Sequence, residues 1–323
     1  MTNGGNGLKL VFCGTPQFAV PTLEALLAAG HKVDLVVSQP DRPAGRDRQL
    51  AAPPVKQVAM AAGLAVTQPE NIRNSIELRS QLEAIAPDAI VVVAYGRILP
   101  PWMLALPRLG CINLHASLLP KYRGAAPIQW AVAMGDAFTG NTTMLLEEGL
   151  DTGPILLQQT IEIGPEQTAE NLFPILASAG APLVVETLRG LANGTAKPEP
   201  QNHQGATYAP LLNREDGRMD FAGRTATELY NRWRGFQPWP GAFTSLNGKK
   251  LIVHRMAIAH ESYAERLGFA MPGWVLVENE RLLAACAENT WLEFLEVQLE
   301  GKKRLEAAEF LRGNPLTADA QLG

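Results

Sequence analysis

"AIVVVAYG", residues 89–96, decides the fold. It is a continuous apolar run, rich in β-branched residues, that stops at a glycine. A strand with one wet face alternates apolar and polar residues. A run apolar throughout fits a strand buried on both faces, as in a parallel sheet covered by helices. The neighbouring stretches agree. "LKLVFC" (8–13), "KVDLVVS" (32–38) and "CINLH" (111–115) read as further strands. Between them, "FAVPTLEALLAAG" (18–30) has apolar positions at helical spacing and ends at Gly30. "PPVKQVAMAAG" (53–63) is helical, with proline at its start, where the missing N–H costs little. "IELRSQLEAIAP" (76–87) is a helix stopped by Pro87, and another is expected from Ile128. Such alternation argues for a doubly wound, mostly parallel α/β sheet.

Near residue 195 the texture changes. "GTAKPEPQNHQGATYAP" (194–210) mixes proline, glycine and polar residues without an apolar period and reads as a linker. Beyond it, "AFTSLNGKKLIVHRMAI" (242–258) is a hairpin signal, with Asn247-Gly248 suited to a type I′ turn. Further short strands and a helix over 305–313 complete a smaller, β-rich domain, read as a barrel. A chain of 323 residues favours two domains. The expected division is 1–194, a linker over 195–213, and 214–323.

Hydrophobic residues make up 46% and charged residues 19%, as in ordinary soluble proteins. No apolar run reaches the ~18 residues of a membrane span. The N-terminus lacks the pattern of a signal peptide. Three scattered cysteines (Cys13, Cys111, Cys286) suit reduced thiols in the cytoplasm, and no CxxC or HExxH spacing supports a metal site. The net charge of -4 argues against broad nonspecific nucleic-acid binding. Locally, 214–255 holds eight basic residues against four acidic ones. From charge alone, a mixed solvated surface is the simpler account of that segment.

In a strand, residues i and i+2 share a face, so Cys111, Asn113 and His115 point one way. Open α/β sheets bind ligands beyond the carboxyl ends of their strands, where Asn113 and His115 sit. Polar residues satisfied inside the core explain the pair equally well. The Pro- and Gly-punctuated loop "SLLPKYRG" that follows favours a site. Asp151, in a bend flanked by Gly149 and Gly153, is positioned to meet His115, although an Asp-Gly turn accounts for it locally. Gly14-Thr15-Pro16 follows the first strand but matches no phosphate-loop pattern. Residues 38–56 form a long proline-stiffened loop presenting Arg42, Arg46 and Arg48, which suits phosphate contacts. No pattern assigns a role to Arg108 or Arg123.

Six stretches, "VFCGTPQFAVPTLEALL", "QPDRPAGR", "VVVAYGRILP", "GCINLHASLLPKYRGAAPIQWA", "GDAFTGNTTMLLEEGLDTGPIL" and "FQPWPGAF", together resemble the folate-dependent formyltransferases, in family order and over nearly the whole chain. The "PDRPAGR" loop and the C-terminal domain narrow the resemblance to those acting on methionyl-tRNA. It implies a Rossmann-like formyltransferase domain followed by a smaller C-terminal β-barrel of OB-like type. It implies 10-formyltetrahydrofolate as donor and the α-amino group of initiator methionyl-tRNA as acceptor, with no metal, no membrane and a cytoplasmic monomer. Asn113, His115 and Asp151 match the family's catalytic trio. Folate is expected along Tyr95, Gly96, Arg97, Ile98 and Leu99, along Glu148, Gly149, Leu150 and Thr152, and against Ser117, Leu118, Leu119 and Pro120. For tRNA, the resemblance points to Arg42, Arg46 and Arg48 in the loop, and Arg214, Arg232, Lys249 and Lys250 beyond the linker. Asp47 and Gln49 stand where a more uniformly basic run is expected. Formyl transfer to an amino sugar or a glycinamide ribonucleotide, hydrolysis of formyltetrahydrofolate, and noncatalytic RNA binding are the competing readings.

Overall fold

The computed structural model describes residues 7–44, 49–267, 269–317 and 320–323. Contacts divide the chain into two units. One comprises 1–127, 138–162 and 171–210; the other comprises 128–137, 163–170 and 211–323. Two short inserts of the expected first domain therefore group with the C-terminal part.

The first unit is built on seven strands: β1 (Lys9–Gly14), β2 (Lys32–Val37), β3 (Val66–Thr67), β4 (Ala89–Val93), β5 (Cys111–His115), β6 (Phe138–Leu145) and β7 (Ile155–Glu162). Their order is β7-β6-β5-β4-β1-β2-β3. The strands β1 to β5 pair in parallel, and β6 and β7 add an antiparallel edge. Every residue of β4 is buried, which explains its unbroken apolar sequence. The order reverses between β1 and β4, and a ligand crevice is expected at such a reversal. Helices α1 (Val20–Ala28), α2 (Pro54–Ala61) and α3 (Ile76–Ile85) follow the expected stretches. The Ser75 hydroxyl caps α3 by accepting from the Leu78 N–H. The loop over 38–56 holds a small hairpin, Arg42–Ala44 against Gln49–Ala51.

Helix α4 (Pro127–Ala133) meets the expectation of a helix at Ile128. Helix α5 (Ala169–Ala192) does not announce itself in the sequence, because Pro174 and Pro182 interrupt its interior. By length and composition α5 is apolar enough to cross a membrane, and half of that apolar window is buried, as in a core helix. It approaches the sheet closely at Gly180. A Cβ there would lie 2.6 Å from a Leu114 methyl and 3.2 Å from the Asn141 amide. Leu114 is thereby committed to the helix side of β5, leaving Asn113 and His115 to the other.

The second unit is an antiparallel sheet of β8 (Ala242–Leu246), β9 (Lys249–Ile258), β10 (Val275–Glu278), β11 (Arg281–Ala285) and β12 (Trp291–Leu299), ordered β8-β9-β12-β11-β10. The hairpin of β8 and β9 turns at Asn247-Gly248, both with positive φ, as a type I′ turn requires. The C-terminal residues lie between the two edge strands. Leu246 bridges Leu322, Trp274 bridges Gln321, and the Leu322 N–H donates to the Gly273 carbonyl at 2.8 Å. This closes the sheet into a barrel and removes its open edges. Leu251, Leu292, Phe294 and Val297 fill the interior, with helix α6 (Ala226–Gly235) packed on it through Leu229. Thr225 and Glu228 form a capping box on α6.

Candidate active site

His115 ends β5 and is buried, 6% exposed. Its ring is fixed from two sides. The Nε2 atom lies 2.9 Å from the Tyr122 carbonyl oxygen. That oxygen can only accept, so Nε2 carries the proton and donates. The Nδ1 atom faces Asp151, 3.7 Å from its Oδ2. That separation exceeds hydrogen-bond length, so Nδ1 remains open for exchange. Asn113, two residues earlier on the same face, is half-buried, and its amide makes no side-chain hydrogen bond among the described residues. Cys111 shares the face but not the chemistry. It is 2% exposed, its thiol approaches the Met103 carbonyl at 3.5 Å, and burial pushes its pKa up to about 12. A thiol protonated at neutral pH is a poor nucleophile.

Asp151 reaches His115 by an indirect route. The chain leaves β6 beside Cys111, where the Leu146 N–H donates to the Cys111 carbonyl, at the opposite end of β5 from His115. It then folds back so that Asp151 comes within reach of His115. Both flanking glycines are sterically required. A Cβ on Gly149 would sit 2.2 Å from Thr152 Oγ1, and one on Gly153 would sit 1.9 Å from the Leu145 carbonyl. Asp151 itself has φ +50, a left-handed conformation that aspartate tolerates better than most residues. Its Oδ2 also accepts the Gly124 N–H at 2.8 Å.

The "SLLPKYRG" loop is tied down along its length. Thr142 Oγ1 donates to the Ser117 carbonyl at 2.7 Å and accepts from the Leu119 N–H at 3.1 Å. Gln158 donates to the Leu119 carbonyl at 2.9 Å, and Ser117 Oγ to the Lys121 carbonyl at 2.6 Å. The stretch expected as a linker supplies the rest. Arg123-Gly124 pairs with Tyr208-Ala209, and the Tyr122 N–H donates to Thr207 Oγ1. A Cβ on Gly124 (φ +121) would lie 2.7 Å from the Ala209 carbonyl.

Beside β5, the carboxyl ends of β1 and β4 frame a cleft of about 710 Å³ lined by Thr15, Gln39, Arg42, Pro53, Tyr95 and Arg97, among others. Of the residues expected to meet folate, Tyr95 and Leu99 are core residues, with Tyr95 presenting its carbonyl to Thr15 and Gln39. The Arg97 Nε donates to Gln39 Oε1 at 3.0 Å, and its Nη1 donates to the Glu70 carbonyl. Ile98 and Leu150 are exposed, at 73% and 57%, unusual for large apolar side chains. Gly96 turns with φ +79. Leu118 is half-buried, Leu119 buried, Pro120 half-buried, Glu148 exposed and Thr152 half-buried.

Of the expected tRNA residues, Arg42 is exposed, and Arg46 and Arg48 lie outside the described residues. Asp41, next to Arg42, is anchored by Lys56 at 2.8 Å and by Gln68, whose hydrogen bonds hold its carboxyl below the usual range. In the second unit Arg214 and Lys249 are exposed. Lys250 lies over the Phe243 ring at 3.7 Å. Arg232 is occupied within the protein: it stacks over Phe236 at 4.8 Å and Trp130 at 5.7 Å and donates to the Asp216 carbonyl at 3.0 Å. Burial, then the neighbouring Arg224, lowers its pKa. Arg234 binds the carbonyls of Gly164 and Gln167, and Arg255 pairs with Glu306. The eight basic residues of 214–255 therefore overstate the free charge.

Sequence reasoning missed Gln201 and gave Arg123 no role. Both are buried beside the Asp151 bend. Gln201 lies 78 residues from Arg123 and 50 from Asp151 along the chain, so no local pattern marks them.

Comparison with known proteins gives two family matches. Residues 8–188 match the formyl transferase family, and residues 211–315 match the formyl transferase C-terminal domain. The chain is 66% identical to the methionyl-tRNA formyltransferase of Acidobacterium capsulatum, over 98% of this chain and all of that one. It is 58% identical to the methionyl-tRNA formyltransferase of Koribacter versatilis, over 96% of this chain and 97% of that one. Among solved structures it resembles an N-formyltransferase from Helicobacter canadensis in complex with folinic acid and dTDP-3-aminofucose. The TM-score is 0.63 at 19% identity, over 89% of this chain and 98% of that one.

Proposed function

The chain belongs to the methionyl-tRNA formyltransferase family, and from that premise we infer that Asn113, His115 and Asp151 carry its chemistry. The enzyme transfers the formyl group of 10-formyltetrahydrofolate to the α-amino group of methionyl-initiator tRNA, giving formylmethionyl-tRNA for translation initiation.

In this reaction a bond forms between the amine nitrogen and the formyl carbon, and the bond from that carbon to N10 of the folate breaks. Negative charge collects on the formyl oxygen, the amine sheds a proton and N10 gains one. The Asn113 amide, which makes no side-chain hydrogen bond among the described residues, donates to the developing oxyanion. His115 moves the proton. Its Nε2–H is held by the Tyr122 carbonyl, which leaves Nδ1 to accept from the amine and return a proton to N10. Asp151 stabilises the charged ring across the 3.7 Å gap. The single observation that carries this reading is the placement of one imidazole between a carbonyl and a carboxylate, two residues from an amide open to ligand. Folate is assigned to Tyr95–Leu99, Ser117–Pro120 and Glu148–Thr152, with the exposed Ile98 and Leu150 offering it apolar contact.

Arg42 is assigned to the acceptor end of the tRNA, and Arg214, Lys249 and Lys250 to its backbone. In the domain assignment, 1–194 is catalytic, 214–323 binds tRNA, and 195–213 joins them while helping to build the site. We take the enzyme to be a cytoplasmic monomer with no membrane partner, a reading supported by its likeness to translation enzymes.

The test is one assay with 10-formyltetrahydrofolate as donor and four acceptor conditions: methionyl-initiator tRNA, elongator methionyl-tRNA, free methionine and none. Formylation of the initiator species alone is expected. Formate release without an acceptor would instead establish a hydrolase.

A further inference from the structure

Gln201 and Arg123 form a buried pair behind the Asp151 bend. Both are nearly inaccessible, at 5% and 3% exposed. The Gln201 side-chain NH₂ donates twice, to the Asp151 carbonyl at 2.9 Å and to the Gly153 carbonyl at 2.7 Å. Its oxygen accepts twice from Arg123, from Nε at 3.2 Å and from Nη2 at 2.6 Å. Nη2 also meets His203 Nδ1 at 3.0 Å.

This arrangement permits one orientation only. A guanidinium has donors and no acceptor, and a carbonyl has acceptors and no donor. Turning the amide over would set NH₂ against guanidinium and oxygen against two carbonyls. Arg123 therefore dictates which way Gln201 faces, and Gln201 in turn grips the bend. Among the described residues Arg123 forms no ion pair with a carboxylate. Its charge is partnered instead by the amide and the imidazole. The bend it controls holds Asp151 at φ +50. Without that grip the backbone of the bend loses its side-chain anchor, and among the described residues only the Gly124 N–H, at 2.8 Å from Oδ2, still holds the carboxylate.

We propose that Gln201, oriented by Arg123, is a positioning residue for formyl transfer: it fixes the Asp151 carboxylate opposite His115 Nδ1 without touching either substrate. The inference rests on the catalytic reading of His115 and Asp151. A misplacement of about 1 Å in such a site costs up to about 10²-fold in rate.

The experiment measures single-turnover formyl transfer at saturating donor, donor affinity and thermal melting for Gln201→Leu, Gln201→Glu, Arg123→Lys and Asp151→Ala, and for Gln201→Leu combined with Asp151→Ala. Gln201→Glu keeps an oxygen for Arg123, and with it the buried contact, but presents no donor to the bend. Gln201→Leu, Gln201→Glu and Arg123→Lys are each expected to lose about 10- to 100-fold in rate, with donor affinity within about twofold of the parent. In the Asp151→Ala background, Gln201→Leu is expected to cost nothing further, because both changes act through one carboxylate. Parental rates in both Gln201 variants, with Asp151→Ala severely impaired, overturn the inference and leave the catalytic reading standing. An equal loss from Gln201→Leu in both backgrounds also overturns it, since that marks a merely structural role. Near-normal turnover in Asp151→Ala removes the catalytic reading itself.

Discussion

Around His115 in the first unit, the ring and its carboxylate are placed by named groups: the Tyr122 carbonyl holds Nε2, Asp151 faces Nδ1, and Gly124 and Gln201 hold Asp151 in turn, while the Asn113 amide beside them makes no side-chain hydrogen bond among the described residues. In the second unit the cations divide differently. Arg232, Arg234 and Arg255 serve the protein's own rings, carbonyls and carboxylates, while Arg214 and Lys249 stand exposed. The difference follows from the two tasks. Proton transfer and oxyanion stabilisation fail when a group moves by about 1 Å. Attraction to a phosphate backbone depends on charge density and tolerates mobile side chains. A basic residue held by the fold is therefore poor evidence for tRNA contact, whereas an imidazole and a carboxylate fixed opposite each other are good evidence for catalysis.

The comparison breaks if single changes in the two units have similar consequences. Asn113→Ala is expected to lower the rate constant by about 10²–10³, the usual worth of one oxyanion donor, with donor binding little changed. Single-turnover measurement at saturating donor decides it, and a rate within twofold of the parent removes Asn113 from the chemistry. Lys249→Ala is expected to leave the rate at saturating tRNA unchanged. It should weaken tRNA affinity modestly and reduce the slope of log affinity against log salt by about one. Titrations at several salt concentrations check this, and an unchanged slope excludes Lys249 from the phosphate contacts.

Much of the first unit was legible because its central strands, β4 above all, are buried on both faces. "AIVVVAYG" needs no alternation to mark a parallel strand, and β5 announces its site by placing Asn113 and His115 on one face. The sequence concealed three things. Helix α5 was hidden by Pro174 and Pro182, which tertiary packing overrides. The grip on Asp151 was hidden because Gln201 lies 50 residues beyond it, in a stretch whose composition reads as linker. The free charge of the second unit was hidden because counting arginines cannot distinguish one stacked on Phe236 from one in solvent. The trio itself was only half legible: spacing put Asn113 and His115 together, but the 3.7 Å approach of Asp151 depends on a loop that doubles back on itself.

Replacing Asp151 by alanine tests the central claim most directly. The rate of formyl transfer to methionyl-initiator tRNA is measured in a single turnover, alongside the affinity for a folate donor analogue. The arrangement around His115 predicts a fall of about 10²–10⁴ in rate with the folate affinity retained. Near-parental transfer by the Asp151→Ala enzyme would contradict it.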